Sequence, residues 1–329
     1  MHRWLLAVTV MTLAIGWTVS RVSESAALQS KMETHTAAER SDITGLPASP
    51  LNQPRPYASV PNGTDPFNAQ IETWIGTLSA QSEFRDWQGA QWTRYPLGAG
   101  MHGWLVLLHK NGKELGYLVV GSAEDGSLRL TEYGAGEQPL FSLQTLYRSL
   151  MQAELIDSHT DTTAYNLPLT VERLYYSPLH AVWKVSIKDG WTYIDAKTGE
   201  QLPLTAQSFE TIQPLQPGPG ASALPHLAKS LQLPDFDPFD NTYWITSSPL
   251  VISASTDLLA ALEAEGLPVT FKANLYGRSV LAPFAVTGYH VWSDQASFIR
   301  LDQQGARYVP LDVLTQYGSF HRQRDNGSA

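Results

Sequence analysis

The spacing of apolar residues from position 65 onward predicts an amphipathic helix at the start of the folded part of the chain. Asp65 suits the N-cap, and Pro66 suits the first helical position, where the N–H that proline lacks would have no helical partner. Apolar residues then recur on one helical face: Phe67, Ile71, Trp74, Ile75 and Leu78. This stripe is the clearest helical pattern in the chain.

After Trp87 the pattern changes to short apolar runs separated by turn residues, which is typical of antiparallel strands. Residues 104–109 and 115–120 flank the dipeptide Asn111-Gly112, which accepts the positive φ angles of a tight hairpin turn. Both arms are almost continuously apolar, so we expect them in mid-sheet with at least one face covered by a helix. A further strand is predicted at residues 128–133.

The same order of a helix and then strands occurs a second time, without a residue-level repeat. Residues 142–156 return to helical spacing, and the predicted buried stripe is Leu143, Leu146, Tyr147, Leu150 and Met151. Strands are then predicted at residues 170–176, 181–187 and 191–195, with turn residues between them.

Frequent prolines predict a linker at residues 204–240 between a first folded unit, residues 65–203, and a second, residues 241–321. The second unit is predicted to contain a helix at 256–265, strands near 269 and at 279–292, 297–301 and 307–309, and a short helix at 311–317. Residues 322–329 are predicted to be a disordered tail. The predicted class is α+β, with helices packed on antiparallel sheets in two folded units.

The first 21 residues are predicted to be a signal peptide or a membrane anchor, because Arg3 precedes an apolar run at residues 4–19 and Arg21 follows it. The run is longer than the core of a usual signal peptide and shorter than a usual spanning helix, so both interpretations stay open. A buried helix is a third interpretation, which the polar residues 22–64 disfavour because they are predicted to form a flexible stalk. We therefore expect a protein that is membrane-anchored facing outside, or secreted.

Composition excludes several kinds of chemistry and partner. The chain has no cysteine, which excludes disulfides, thiolate nucleophiles, Cys-ligated zinc and iron–sulfur clusters. Its formal net charge is -9 and it has no run of Lys and Arg, so nucleic acid is not an expected partner. Ten Trp and fourteen Tyr supply large apolar rings, and most of the chain is expected to fold.

Residues 181–185 (AVWKV) and 191–200 (WTYIDAKTGE) resemble the closing strands of a PepSY-type domain, in which a strand containing an aromatic residue leads into a D-A-K-T-G-E turn. Asp195 would cap this turn, and Gly199 would take the backbone conformation that other residues resist. With the helix at 142–156, the resemblance covers residues 142–203. One departure from the family pattern is the long polar connection at 157–169.

The resemblance implies an extracytoplasmic α+β module, often found beside peptidases, with an inhibitory or regulatory role. It implies no catalytic residues. The rest of the chain resembles exported proteins of Gram-positive bacterial type.

Histidine patterns predict no metal site, because none of the nine histidines forms H-E-x-x-H or another close metal-ligand pair. His102 and His109 flank one predicted strand and are expected on opposite faces of the sheet. His290, in a predicted strand among aromatic residues, is the strongest histidine candidate for chemistry, although such a histidine is more often packed or at a sheet edge.

Acidic and glycine clusters predict no site either. Asp235, Asp237 and Asp240 lack the spacing and the glycine of a calcium-binding EF-hand loop, so they are interpreted as a solvated turn. The Gly-Ala-Gly triplets at 98–100 and 134–136 complete no phosphate-binding motif, and Glu124-Asp125 lies in a predicted turn. No catalytic, cofactor-binding or metal-ligating residue and no cofactor is therefore predicted.

These observations favour a non-enzymatic envelope protein that binds a protein or peptide partner, with regulation of a peptidase as one outcome of that contact. An exposed strand edge that accepts a partner strand is the simplest mechanism for this. Two alternatives stay open: a cell-wall hydrolase or other exported enzyme whose His290 or acidic residues converge between the two units, and a structural envelope or spore protein.

Overall fold

Helices packed on antiparallel sheets make up the part of the chain that the structure describes, which confirms the predicted α+β class. The computed structural model describes residues 57–58, 65–98, 103–123, 125–156, 169–188, 190–210, 212, 226–240, 242–264, 267–293 and 295–323. The hydrophobic run at residues 4–19 and most of the predicted stalk and tail lie outside these residues. Among the helices within them, none combines the length and the hydropathy that crossing a membrane requires.

Fifteen strands form within the described residues. In chain order they are β1 (Tyr57–Ala58), β2 (Gln91–Leu97), β3 (Gly103–Lys110), β4 (Lys113–Ser122), β5 (Leu128–Ala135), β6 (Val171–Ser177), β7 (His180–Ile187), β8 (Gly190–Asp195), β9 (Gln201–Leu202), β10 (Leu227–Gln232), β11 (Val269–Leu275), β12 (Val280–Trp292), β13 (Ser297–Asp302), β14 (Ala306–Pro310) and β15 (Gly318–Arg322).

Eleven of these strands make one large sheet in the order β1-β2-β3-β4-β5-β14-β13-β12-β11-β15, with β10 paired to β12. The pairing of β5 with β14 aligns Tyr133 with Tyr308. Strands from both sides of the predicted linker thus share one sheet. The pairing of β5 with β14 removes the edge that each of these two strands would otherwise leave unpaired. The second sheet has the order β6-β7-β8-β9.

Five α-helices cover these sheets: α1 (Pro66–Ser79), α2 (Leu143–Gln152), α3 (Tyr243–Thr246), α4 (Ser255–Glu263) and α5 (Leu311–Tyr317). In α1 the Asp65 carboxylate accepts a hydrogen bond from the Phe67 N–H at 3.1 Å, and all five residues of the predicted stripe are buried. With a 3₁₀ turn at Ser82–Trp87, α1 covers one face of the β3–β5 region. The smaller sheet and α2 cover the opposite face of this region.

The predicted stripe of α2 is only partly confirmed. Leu146 and Leu150 are buried, whereas the side chain of Met151 is 36% exposed. Thr145 and Ser149 are buried instead, and the Ser149 hydroxyl donates a hydrogen bond to the carbonyl oxygen of Gly199 in the turn after β8. The face of α2 that carries Thr145 and Ser149 is therefore turned toward the turn after β8, where the Gly199 carbonyl accepts the Ser149 hydrogen bond.

The predicted hairpin is confirmed, since Lys110 pairs with Lys113 across Asn111 and Gly112, which have φ angles of 53° and 76°. Where β5 lies between β4 and β14, Gly134 allows a close approach of the strands. A Cβ atom there would lie 2.5 Å from the Ala306 carbonyl oxygen and 2.6 Å from the Tyr117 ring. Gly134 and Ala135 of the triplet at 134–136 are thus part of β5, and Gly136 follows the end of the strand.

Three strands include residues that were predicted to lack regular structure. The first is β1, which lies within the predicted stalk and pairs with β2. β10 lies within the predicted linker, where it pairs with residues 288–292 of β12. β15 was not predicted, and its last residue, Arg322, lies in the predicted tail and pairs with Val269. A neighbouring strand that offers hydrogen-bonding groups thus overrides weak local preference at all three places.

Candidate functional site

Polar side chains are buried on both faces of the large sheet where β5 meets β14. Side chains alternate along a strand, so Glu132 and Arg307 face the smaller sheet, whereas Tyr133 and Tyr308 face α1. Two polar clusters result, one on each side of the sheet junction.

The first cluster is centred on Glu132, whose side chain is 0% exposed. One carboxylate oxygen accepts hydrogen bonds from the Tyr117 hydroxyl at 2.6 Å and from Arg307 Nε at 2.7 Å. The other accepts from the Tyr175 hydroxyl of β6 at 2.8 Å. Glu132 therefore links three strands of the large sheet to the smaller sheet.

Arg307 is kept in its charged form by its neighbours in this cluster. Burial lowers the pKa of Arg307, but the charge and hydrogen bond of Glu132 together with Tyr117 and Asp195 outweigh this, and the pKa of Arg307 is raised. Burial and then the Glu132 charge raise the pKa values of Tyr117 and Tyr175 well above their usual range. The tyrosines consequently act as neutral donors to a carboxylate that is closed off from solvent.

Lys197 extends this cluster into the Asp195–Gly199 turn. Its side chain is 1% exposed, and its Nζ donates hydrogen bonds to the carbonyl oxygens of Gln138 at 2.6 Å and Gln304 at 3.0 Å. Burial, and then the Arg307 charge, lower the pKa of Lys197 to about 7. Within the turn, the Asp195 carboxylate accepts from the main-chain N–H of Lys197 and of Thr198, and Gly199 has a φ of 77°.

The second cluster is an ion pair between Arg300 of β13 and Glu83 of the 3₁₀ turn, with Arg300 Nη2 2.8 Å from Glu83 Oε1. The Tyr308 hydroxyl donates to the other Glu83 oxygen at 2.7 Å, and Arg300 also bonds Asp235 at 3.0 Å. Burial lowers the pKa of Arg300, but the hydrogen bond and the charge of Glu83 raise it, and the overall pKa is above the usual value of an arginine. Asp235, which was interpreted from the sequence as part of a solvated turn, is therefore an ion-pair partner of Arg300.

His290 lies beside this cluster inside the core. Its side chain is 3% exposed, its Nδ1 lies 2.9 Å from the Tyr133 hydroxyl, and its ring stacks on Tyr308 with 4.2 Å between centroids. Burial, and then the Arg300 charge, lower its pKa to about 3. His290 is consequently a neutral, packed residue, and it is not among the residues that line the cleft beside the turn at 276–278.

The other residues weighed from the sequence do not converge. Asp237 accepts a hydrogen bond from the Phe239 N–H, as a turn residue does, and His109 lies on β3 opposite Gln91. No group of three or more His, Asp or Glu that could hold a metal ion occurs among the described residues. His102, Glu124 and the last two residues of the first glycine triplet lie outside those residues.

A cleft of about 480 Å³ opens beside the turn between β11 and β12. His180 lies in its wall, buried between the rings of Tyr276 and Tyr317 at centroid distances of 4.9 and 4.4 Å. The residues that line it are His180, Ile212, Asn274, Tyr276, Gly277, Arg278, Gln316, Tyr317, Gly318 and Ser319. The sequence prediction missed this cleft because its walls come from four separate segments.

β10 forms an open edge of the large sheet. It pairs with β12 on one side only, and four of its six residues are exposed: Ala228, Lys229, Ser230 and Gln232. The Leu233 N–H donates to the Thr287 carbonyl at 2.8 Å, so by alternation the main-chain groups of Ser230 and Gln232 point away from β12.

Comparisons with known proteins do not identify the chain: no family model, no curated protein and no solved structure matches it. The proposals below therefore depend on the geometry of the described residues alone.

Proposed function

We propose that this chain is a non-enzymatic binding protein that takes up an extended segment of a protein partner along the outer edge of β10. The observation that supports this is the outward-facing main chain of Ser230 and Gln232, which pairs with no other described strand. An unpaired edge offers donors and acceptors to a partner strand, and these main-chain hydrogen bonds supply the affinity.

The surroundings of β10 favour a partner that is recognised by main-chain pairing. Lys229, the one charged residue in the strand, forms an ion pair with Glu263 at 2.6 Å, and its ammonium lies over the Tyr289 ring. Leu227 and Leu231 pack inward against the core, which keeps the strand in register. The outer edge is therefore held rigid before a partner arrives, which reduces the entropy lost on binding.

The buried polar clusters support binding over catalysis. Glu132, Arg307 and His290 are each at most 3% exposed. Glu132 and Arg307 are hydrogen-bonded to each other, and His290 is hydrogen-bonded to the buried Tyr133 hydroxyl. A catalytic group has to reach the substrate, either directly or through one water. We therefore prefer the binding function to the hydrolase alternative, with regulation of a peptidase as one outcome of such binding, as the PepSY-like resemblance of residues 142–203 implies.

Replacing Ser230 by proline is expected to weaken binding of an extended peptide about tenfold or more, because it removes an outward N–H and places a ring in the path of the partner strand. The peptide would be selected from a random displayed library against the full chain, and its Kd measured by fluorescence anisotropy. Proline is tolerated here because the lost N–H does not bond β12.

The matched control is Ser230→Ala, which keeps the N–H and should bind the peptide as the unsubstituted chain does. Urea unfolding of both variants checks that the proline leaves the fold intact. Equal affinity of the proline and alanine variants would refute the edge-binding proposal, and so would a library from which no peptide is enriched. The latter result would favour the structural envelope or spore protein.

We further propose that this binding takes place outside the cytoplasm, because the apolar run at residues 4–19 follows Arg3 as in export signals. A reporter enzyme that is active only outside the cytoplasm, fused after Arg21 and produced in a bacterial host, is expected to be active. The control is the same fusion without residues 2–21. A reporter that stays inside the cell and free of membrane contradicts this location.

A further inference from the structure

The cleft beside the β11–β12 turn is separate from the edge proposed to bind a partner. It lies at the start of β12, whereas β10 pairs with residues 288–292 near the end of that strand. At about 3.3 Å per residue, the two places are roughly 25 Å apart or more. A ligand in the cleft therefore leaves the outer edge of β10 uncovered.

The charge of the cleft is opposite to that of the chain as a whole. Arg278, which is exposed, is the one residue with a full charge in its lining, and no carboxylate lines it. The chain nevertheless carries a formal net charge of -9. A site with a cation and no neighbouring carboxylate selects anions, and a planar guanidinium matches the two oxygens of a carboxylate.

The backbone at the rim of the cleft is held in an unfavourable conformation. Tyr276, Gly277 and Arg278 have consecutive φ angles of 50°, 63° and 74°, and two of these residues are not glycine. On the facing turn, Leu179 has a φ of 72°. Each such non-glycine residue costs about 1–3 kcal/mol, and strain of this kind concentrates where a side chain is positioned for a ligand.

The wall of the cleft behind Arg278 is fixed by hydrogen bonds. His180 Nδ1 lies 2.9 Å from the Ser177 hydroxyl, and Nε2 accepts the Tyr276 N–H at 3.5 Å, so the imidazole positions the strained turn. Burial, and then the Arg307 charge, lower the pKa of His180 to about 4. The wall is thus neutral at physiological pH, which leaves Arg278 as the source of positive charge.

We propose that this cleft binds a small organic carboxylate of about dipeptide size, with the carboxylate on Arg278 and the amide groups of the ligand on Asn274 and Gln316. A volume of about 480 Å³ lies within the range of small-molecule sites. Neither amide side chain forms a hydrogen bond to another described residue, so both are available to a ligand. Tyr317 supplies an apolar surface for the ligand backbone.

The probe is N-acetyl-dialanine as the free acid, titrated into the full chain while the main-chain amide signals of Gly277 and Gly318 are followed by NMR. We expect saturable shifts of these signals with the acid and none with its C-terminal amide. Replacing Arg278 by glutamine is expected to weaken binding about tenfold or more, the size of a charge-assisted hydrogen bond. Arg85→Gln, an exposed arginine on the distant 3₁₀ turn, makes the same change in net charge and should bind as the unsubstituted chain does.

A second titration distinguishes the source of the carboxylate. If N-acetyl-tetraalanine acid binds no tighter than the dipeptide acid, the ligand is a free small molecule, and if it binds tighter, the ligand is the C-terminus of a longer peptide. Equal shifts with acid and amide, no shift with either, or unchanged binding in Arg278→Gln would each overturn the proposal. None of these outcomes affects the Ser230→Pro test, because that substitution lies at the other end of β12.

Discussion

Replacing Glu132 by glutamine is expected to lower the free energy of unfolding by about 3–5 kcal/mol, because it leaves the Arg307 guanidinium buried without a compensating charge. Both side chains are at most 2% exposed, and the distance between Arg307 Nε and Glu132 Oε1 is 2.7 Å. In the variant one of the two tyrosine hydroxyls donates to the amide oxygen and the other accepts from the amide NH2 group, so the loss reports mainly on the charge. Urea unfolding at neutral pH measures it.

An exposed ion pair on the same sheet provides the matched control. Lys113 and Glu137 lie 3.2 Å apart with their side chains 71% and 74% exposed, and Lys113→Gln should change stability by about 1 kcal/mol or less. A variant with Glu132→Leu, Arg307→Met, Tyr117→Phe and Tyr175→Phe should regain much of the stability, because it leaves neither an unpaired charge nor an unpaired hydroxyl in the core. A loss of the same small size in Glu132→Gln and Lys113→Gln would contradict this account of the junction.

Elements with a strong local pattern could be predicted from the sequence. The stripe of α1 and its Asp65 cap need only residues within the helix, and the Asn111-Gly112 hairpin needs only its own turn. The weak patterns of β10 and β15 could not be recognised, because those strands depend on partners far away in the chain. The pairing of β5 with β14 joins segments more than a hundred residues apart, for which one sequence holds no signal.

The buried glutamate was missed for a specific reason. Strict alternation in β5 would place Glu132 on the same face as Leu130, which packs under α1. The register of β4 and β5 shifts between Val119 and Val120, so that Leu130 and Glu132 pair with adjacent residues and face opposite sides of the sheet. Thr131 lies at this bulge and donates its hydroxyl hydrogen bond to the Val119 carbonyl at 3.1 Å. A single inserted residue in β5 thus places the Glu132 carboxylate at the centre of the core.

The Asp195–Gly199 turn was predicted as a turn, and its geometry follows that prediction. Its chemical environment did not follow from the sequence, because the residues that bury Lys197 come from the loops at Gln138 and Gln304. A lysine in a D-A-K-T-G-E turn would otherwise be expected in solvent, where its ammonium is hydrated. The position of this lysine links the smaller sheet to two loops of the large sheet.

Replacing Lys197 by methionine is expected to remove a rise in the free energy of unfolding between pH 7 and about pH 9.5. In the unfolded chain a lysine keeps its proton up to about pH 10.4, whereas burial lowers the pKa of Lys197 in the fold to about 7. Across this window the unfolded state binds more protons, so stability increases with pH, by an amount on the order of a few kcal/mol. Urea unfolding at several pH values measures the slope.

His180, His290 and the buried tyrosines change stability outside the window between pH 7 and about pH 9.5. His180 and His290, with lowered pKa values of about 4 and 3, change stability only below about pH 6.5. The buried tyrosines have raised pKa values and reduce stability only above about pH 10. Lys188→Met, at an exposed position in the smaller sheet's β7–β8 turn, should keep the slope of the unsubstituted chain. If Lys197→Met keeps that slope as well, the prediction is wrong, and Lys197 stays charged in the fold from pH 7 to about pH 9.5.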